Sequence, residues 1–375
     1  MPEFLKLMES WDGYAPIADR NIDEAQVSRF LDLVSNAKRI APWRQEYLLR
    51  EVITTSDFPS LFGFTLERDM LARYQAAVPY WVGYCKQGTL LNFNAAELHK
   101  VSGNDTLLPR VVEKGEYYIA PVATGYYQRR VYKYGRQFDI SWEALVNDAL
   151  NAFADIPARF ADAVIYTRAY NVTNLMAVAA GPNPALYGAA VVDAADLQAI
   201  LNVGNLPLTV GNLETTLELM ALQTDVNGRP LGIQGRHLVV PPGLEMTARA
   251  IMQSPYVQQI AGAVALPTMN IIPTMGIQLH INRLLPTIDA SGNRNGTWYL
   301  FADLGQGAAI QIDFLRGYES PEICMKASDK VAVGGGAPLN PFSGDFATDN
   351  IFYRVRDCHG GVVLDPRMTY AQVNT

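Results

Sequence analysis

A helical pattern of about 35 residues is the feature that most constrains the fold of this 375-residue chain. From Ser141 to about Met176, apolar residues recur at helical spacing, and polar residues largely occupy the other side. At about 1.5 Å per residue, such a helix is roughly 50 Å long, about three times the typical length. Because its apolar stripe needs an equally long partner surface, the pattern predicts an elongated domain.

The ends and the interior of this helix carry local signals. Ser141 suits the N-cap, Glu143 lies favourably in the positive first turn, and the sequence GPNP at 181–184 ends the pattern. Pro157 lies inside the run and cannot donate a backbone hydrogen bond to residue 153, so a bend is expected there. No heptad repeat is sustained, which argues against a coiled coil.

Residues 111–140 are predicted to form two extended runs around a turn near Thr124 and Gly125. An isolated two-stranded ribbon is marginal in water, so we expect this ribbon to lie against another surface. Its tyrosines offer apolar area with a hydrogen-bonding tip, which suits a protein interface. The predicted interface residues are Lys114, Tyr117, Tyr118, Tyr126, Tyr127, Arg129, Arg130 and Lys133.

The ribbon is basic, whereas the chain is acidic. Residues 110–136 contain six bases and two acids, a net charge of +4, which leaves −11 for the rest of a chain whose formal charge is −7. Complementary patches set register and orientation in head-to-tail association. We therefore expect Arg129, Arg130 and Lys133 to pair with acids on an adjacent copy. A solvated hairpin explains the charge alone equally well.

Composition excludes several classes of protein. The formal charge of −7 argues against a nucleic-acid-binding module, which normally shows a basic footprint. No apolar run is long enough to cross a bilayer, and the first residues lack the apolar stretch of a secretion signal. Three widely spaced cysteines fit neither a disulfide framework nor a zinc site. These observations predict a cytosolic product without a membrane segment.

The rest of the chain is predicted to mix helices and strands. Amphipathic patterns indicate helices at 21–37, 65–81, 212–225 and 244–254. Apolar extended runs indicate strands at 236–243, 276–286, 297–304, 308–317, 321–328 and 350–373.

No motif in the chain supports catalysis. Gly305 and Gly307 form an incomplete dinucleotide fingerprint in which a strand follows where a helix is needed, so a turn is predicted. The sequence CHGGVV at 358–363 has no nucleophile elbow to accompany it, and a turn is again predicted. The histidines are scattered without metal-binding spacing, at His99, His237, His280 and His359. The chain is therefore predicted to be no enzyme, with no cofactor and no metal.

Five segments, in the same order along the chain, resemble one known family. They are REVITTSDFPSLFGFTLERDMLARY (50–74), YGRQFDISWEALVNDALNAFADIPARF (134–160), RHLVVPPGLEMTARAIMQS (236–254), WYLFAD…FLRGYESPEI (298–323) and RDCHGGVVLDPR (356–367). These segments resemble the major capsid proteins of tailed phages, the Hong Kong ninety-seven fold, and especially the branch of the Mu major head subunit. The departure is Ala149, where the resemblance leads us to expect an acidic residue.

The resemblance implies an α+β fold with five regions. These are an N-terminal arm (1–92), an extended β-hairpin loop (93–140), a peripheral domain (141–235) with a spine helix (141–176), an axial domain (236–344) and a return to the peripheral domain (345–375). The loop is expected to lie over an adjacent subunit.

The implied function is that of a major capsid protein of a tailed double-stranded DNA phage. Identical subunits would form the pentamers and hexamers of an icosahedral shell that is assembled in the host cytoplasm. This shell would enclose the genome without sequence-specific binding and would be part of the virion. The implied partners of the chain are a separate scaffolding protein, a portal and a decoration protein. Some relatives crosslink a loop lysine to a neighbour's asparagine; Lys114 or Lys133 with Asn340 or Asn350 would be the candidates here. Solvated lysines are the commoner case.

Two alternatives stay open. One is an encapsulin-like nanocompartment shell of the same fold that encloses a cargo enzyme. The other is an enzyme with an unrecognised site.

Overall fold

The computed structural model describes residues 71–72, 74, 79–102, 108, 110–117, 123–141, 150–261, 264–326, 328–330 and 345–374. The predicted helix at 21–37 lies outside this part of the chain. So do most of the predicted helix at 65–81, the first residues of the predicted spine helix, Tyr118 and Asn340.

The described helices are α1 (Leu150–Met176), α2 (Val210–Ala221), α3 (Glu245–Gln253) and α4 (Leu285–Ile288). The strands are β1 (Lys86–Leu90), β2 (Ala96–Ser102), β3 (Ala123–Arg129), β4 (Tyr132–Ile140), β5 (Ala177–Val178), β6 (Gly181–Pro182), β7 (Val191–Val192), β8 (Ala199–Ile200), β9 (Val203–Gly204), β10 (Gly235–Val240), β11 (Tyr256–Ala261), β12 (Val264–Met269), β13 (Gln278–Ile281), β14 (Trp298–Ala302), β15 (Ile310–Leu315), β16 (Glu322–Met325), β17 (Ile351–Val363) and β18 (Thr369–Gln372).

The long helix is confirmed over its described part. Helix α1 has 27 residues and continues without a break through Pro157; the expected bend there stays a prediction. It ends at Met176, shortly before the predicted stop at residues 181–184, and β5 begins at the next residue, Ala177. Its buried side packs on β17, with Phe160 and Val164 in one apolar cluster with Val355.

A buried ionic network also joins α1 to β17. The Arg168 guanidinium binds both carboxylate oxygens of Asp357, at 2.8 and 2.5 Å, and both side chains are almost fully buried. His359 Nδ1 lies 2.9 Å from Asp357, and the Asn171 amide lies 2.8 Å from His359 Nε2. Burial alone would raise the pKa of Asp357, but hydrogen bonds from Arg168 and His359 lower it to about 2.

Two five-stranded sheets contain most of the core. The first has the order β1-β15-β17-β16, and β4 also pairs with β17; the second has the order β13-β10-β14-β18-β9. One apolar cluster connects them, since it includes Phe314 of the first sheet, Leu238 and Trp298 of the second, and Met176 of α1.

Strands from both sides of the predicted domain boundary at residues 344 and 345 share each sheet, and the division into domains stays a prediction. Strands β15 and β16, from the predicted axial domain, pair with β17 in the sheet that packs on α1. Strand β18, from the predicted return, pairs with β14 in the other sheet. Each sheet therefore takes strands from both segments. The pairing satisfies the backbone hydrogen bonds of these strands.

The predicted ribbon is wrong in its pairing. Thr124 and Gly125 lie inside β3 and form no turn, because β3 pairs with β2 from Ala96↔Arg129 to Ser102↔Ala123. Strand β4 pairs instead with β17 over nine residues. The side chains of β4 explain this choice, since Phe138 stacks on Tyr353 and Tyr134 stacks on His359.

The predicted turn at 358–363 is also wrong, because these residues lie in β17. Gly360 and Gly361 allow other segments to approach the strand closely. A Cβ on Gly360 would lie 1.9 Å from the carbonyl oxygen of Arg130, and one on Gly361 would lie 2.8 Å from the Leu175 side chain of α1. The turn predicted at Gly305 is confirmed, with Gln306 N donating to Asp303 O at 2.9 Å.

Two of the scattered histidines meet in the second sheet. His237 Nδ1 lies 3.0 Å from His280 Nε2, and both rings lie beside Gly83. Burial, assisted by the neighbouring His237, lowers the pKa of His280 to about 4, and burial also lowers the pKa of His237. The folded state therefore favours the neutral rings.

This pair predicts an acid-sensitive second sheet. The folded-state pKa values lie below the ordinary value near 6.5, so the stabilisation is complete above about pH 6.5 and is lost as the pH falls from there towards 4. We expect His280→Gln to lose less stability between pH 7 and pH 5 than the unmodified chain does. Urea unfolding at both pH values measures this, and equal losses in the two proteins would contradict the prediction.

Candidate subunit interface

The β2–β3 hairpin presents large apolar side chains to solvent. Leu108, Val112 and Tyr117, in the segment that connects the two strands, are 94%, 70% and 85% exposed. Val101 and Tyr126, within the strands, are also exposed. Within this connecting segment, Gly115 N donates a hydrogen bond to Val112 O at 2.8 Å. Because burying apolar area is favourable, these side chains form a surface that would gain from contact with another molecule.

The base of the hairpin is held to the body of the same chain by a group that we call the anchor cluster. Its members are Lys100, Tyr127, Asp193, Asp196, Asp365 and Arg367. Lys100 Nζ lies 2.8 Å from Asp365 and 2.9 Å from Asp193. Tyr127 donates its hydroxyl to Asp193 at 2.7 Å. The hairpin is therefore joined to two separate segments of the chain.

Arg367 lies at the centre of the anchor cluster. Its guanidinium contacts Asp193 at 2.7 Å, Asp196 at 2.5 Å and Asp365 at 2.8 Å. The side chain of Asp193 is fully buried and that of Arg367 is 2% exposed. Burial alone would raise the pKa of Asp196, but the hydrogen bond from Arg367 and the charge of Lys100 bring it below its ordinary value. The two bases thus offset most, but not all, of the charge of the three carboxylates in the cluster.

The hairpin backbone makes an equally close contact. A Cβ on Gly125 would lie 1.5 Å from the carbonyl oxygen of Ala195, far inside contact distance. Residues 193–196 are in turn held by the Asp193 carboxylate, which accepts a hydrogen bond from Ala195 N at 3.0 Å. The hairpin can lie against this loop only because residue 125 has no side chain.

A second tether comes from the end of β3. Arg129 Nη1 lies 3.0 Å from the Asp313 carboxylate, which is 1% exposed on β15. Gly88 of β1 makes this contact possible, since a Cβ there would lie 2.3 Å from the same carboxylate oxygen. The Arg129 charge is therefore compensated within its own chain.

The predicted interface residues divide into groups. Lys114, Tyr117 and Tyr126 are exposed on the hairpin, as expected of contact residues. Tyr127 and Arg129 bind Asp193 and Asp313 of the same chain, and their contact with a neighbour stays a prediction. Arg130 and Lys133 are exposed where the chain leaves the hairpin and enters β4, and Tyr118 lies outside the described residues.

Sequence reasoning missed most of the anchor cluster. Asp193 and Asp196 lie three residues apart in a short loop, and Asp365 and Arg367 flank a proline. Such residues in turns are usually solvated, and no local pattern relates them to Lys100. The buried environment that makes them important exists only in the folded chain.

The described part of the chain offers neither a metal-binding group nor a membrane-spanning helix. No group of three or more histidine, cysteine, aspartate or glutamate side chains there could hold a metal ion. No helix in that part is long and apolar enough to cross a membrane.

Comparison with known proteins identifies the family. A family model described as phage capsid protein matches residues 126–372, which is well over half of the chain. No curated protein matches the chain.

Several solved structures are similar to this chain. The capsid protein of cyanophage P-SCSP1u is 12% identical, covers 78% of this chain and 86% of its own, and gives a TM-score of 0.50. A structure from Microbacterium phage Oxtober96 is 9% identical in sequence, covers 80% of this chain and 91% of its own, and gives a TM-score of 0.48. The mature capsid of bacteriophage PhiM1 is 10% identical over 80% and 88%, with a TM-score of 0.47.

The α+β capsid fold expected from the sequence is confirmed, whereas the Mu-like branch stays a prediction. The family match and the fold point to the same class of protein, and the chain belongs to the phage capsid protein family.

Proposed function

We propose that this chain is the major capsid protein of a tailed double-stranded DNA phage, and that its copies form the pentamers and hexamers of an icosahedral shell. The observation that carries this proposal is the exposed apolar segment of the hairpin. A monomer gains nothing from exposing Leu108, Val112 and Tyr117, whereas an assembling subunit can bury them against a sister copy. Many such contacts add up in a closed shell, so individually modest interfaces give a stable particle.

The two-part construction of the hairpin suits this role. The anchor cluster and the Arg129–Asp313 pair hold its base in one orientation. A contact surface that is already oriented loses less conformational entropy when it binds. The proposed neighbour contacts are Lys114, Tyr117 and Tyr126, together with the predicted Tyr118.

The finer predictions about partners also belong to this proposal. The shell would enclose DNA, form part of the virion and assemble in the host cytoplasm with a separate scaffolding protein and a portal. The match to a phage capsid family favours this role over a cargo-enclosing nanocompartment and over an enzyme.

Tyr117 provides the most direct test. We expect Tyr117→Ser to reduce the yield of closed particles at least tenfold, because an 85% exposed aromatic ring loses the area it would bury on a neighbour. Tyr117→Phe, which keeps the ring, is the matched control and should assemble normally. Particles are counted by negative-stain microscopy. The folded subunit should be unaffected, with free energies of unfolding within about 0.5 kcal/mol of each other.

Normal particles from Tyr117→Ser would exclude this side chain from the interface. Failure of the unmodified chain to form any particle would contradict the proposed function itself.

A further inference from the structure

The +4 charge of residues 110–136 is not spread along the hairpin. The exposed segment 110–117 has two bases and two acids and is neutral, and Arg129 is paired with Asp313. The remaining bases lie at the start of β4 and beside it.

Lys133 joins two bases that come from a distant part of the sequence. We call these three residues the basic face: Lys133, Arg354 and Arg356. In β17, residues 353, 355, 357 and 359 face α1, so Arg354 and Arg356 point to the opposite side of the sheet. Lys133 lies opposite Cys358 on that same side. The Arg130 side chain is not part of this face, since its Nε donates to Phe93 O at 3.2 Å and its guanidinium lies 5.5 Å from the Tyr132 ring.

The basic face has a regular spacing. Arg354, Arg356 and the Lys133–Cys358 pair follow one another at intervals of two residues, or about 6.8 Å along the sheet. Arg356 pairs with Glu322 on the neighbouring strand β16, and its guanidinium lies 5.2 Å from the Tyr318 ring. Glu322 lies next to this row. Burial alone would raise its pKa, but hydrogen bonds from Cys324 and Arg356 lower it below its ordinary value.

The composition of this surface distinguishes between two kinds of partner. The cores of protein–protein interfaces are apolar and depleted of charge. The exposed apolar side chains between β2 and β3 suit such a core. Surfaces that bind nucleic acid are polar and strongly positive, and arginine binds phosphate in a bidentate fashion. A groove at Gly135 is lined by Lys133, Arg136, Gln137, Arg354 and Arg356, together with Tyr134 and Val355.

We propose that the basic face binds the phosphodiester backbone of double-stranded DNA without regard to sequence. This inference rests on the proposed function, because a shell that encloses DNA brings such a polyanion to its wall. The net charge of −7 conceals the site, since the acids that outnumber the bases lie elsewhere on the chain. Contact through three bases holds DNA weakly and in a salt-dependent way, so the DNA can still leave the shell.

The test uses the full-length protein and two unrelated 30-base-pair duplexes, with binding followed by fluorescence anisotropy between 50 and 200 mM salt. Neutralising about three phosphates gives a slope of about −3 in log K against log salt, or about a 60-fold loss of affinity over this range. We expect Lys133→Gln/Arg354→Gln/Arg356→Gln to reduce that slope to near zero, equally for both duplexes. The matched control, Lys86→Gln/Arg283→Gln/Arg294→Gln, removes three exposed bases from other places and should keep the slope.

Arg356 is paired with Glu322, so a double variant guards against misfolding. Lys133→Gln/Arg354→Gln leaves that pair intact and should reduce the slope by about 2. An unchanged slope in the folded triple and double variants overturns the proposal, as does an unmodified protein that fails to bind DNA at 50 mM salt. An unchanged slope together with the loss of particles would assign the face to contacts between copies. Loss of particles by the unmodified chain would instead contradict the proposed function, independently of its DNA binding.

Discussion

Arg367→Leu is expected to lower the free energy of unfolding by about 3 to 5 kcal/mol. The substitution removes the buried base that contacts Asp193, Asp196 and Asp365. Lys100 alone then faces three carboxylates, of which Asp193 is fully buried. A charge left buried without its partner costs far more than a surface ion pair contributes. The hairpin base shares this cluster, so its attachment should weaken as well.

Urea unfolding of dissociated subunits, followed by circular dichroism, measures the loss. Arg249→Leu is the matched control, because Arg249 pairs with Glu245 on the exposed side of α3. That pair is partly exposed and lies four residues apart on one helix, so its removal should cost about 0.5 kcal/mol or less. A loss below about 1 kcal/mol for Arg367→Leu would mean that water reaches the cluster and compensates its charges.

Gly125→Ala is expected to displace the hairpin from the body of the subunit. The new Cβ would lie 1.5 Å from the carbonyl oxygen of Ala195, and both contacting segments are backbone that cannot rotate away. The hairpin must therefore move, which separates Tyr127 from Asp193 and Lys100 from its carboxylates. We expect a loss of about 3 kcal/mol, the upper range for overpacking, together with a severe loss of particles.

Limited proteolysis reports the displacement, because a detached hairpin is cut faster than an anchored one. Gly211→Ala in α2 is the control, since no atom lies within 4 Å of the added Cβ. Alanine is the better helix former, so that variant should be unchanged or slightly more stable. Equal cleavage rates in the two variants would show that the loop around Ala195 yields without cost to the hairpin.

The helices and most strands of the second half were predictable from the sequence. Apolar periodicity identified α1 and α2, and the run RHLVV identified β10 at Gly235–Val240. These elements have local patterns that match their final environment. Lys114, Tyr117 and Tyr126 were predicted to be contact residues because their types suit an interface; they are exposed in the structure, and their contact with a neighbour stays a prediction.

The pairing of β4 was not predictable, although its extended character was. An extended sequence pattern indicates a strand, but it does not identify the partner strand. The partner, β17, lies more than 200 residues away and was selected by stacking on Tyr353 and His359. The same limit explains CHGGVV, whose glycines read as a turn but serve close approach to Arg130 and Leu175.

By itself, the sequence determined the long helix, the strand content and the acidic balance of the chain, since each depends on residues that are near one another or on composition. Only the tertiary structure decided which charges are paired in buried sites and which are exposed. Arg129 and Arg130 are adjacent in sequence, yet one is paired with Asp313 and the other is exposed. The physical reason is that an ion's free energy depends on its solvation and on partners brought from distant segments, and neither is encoded locally.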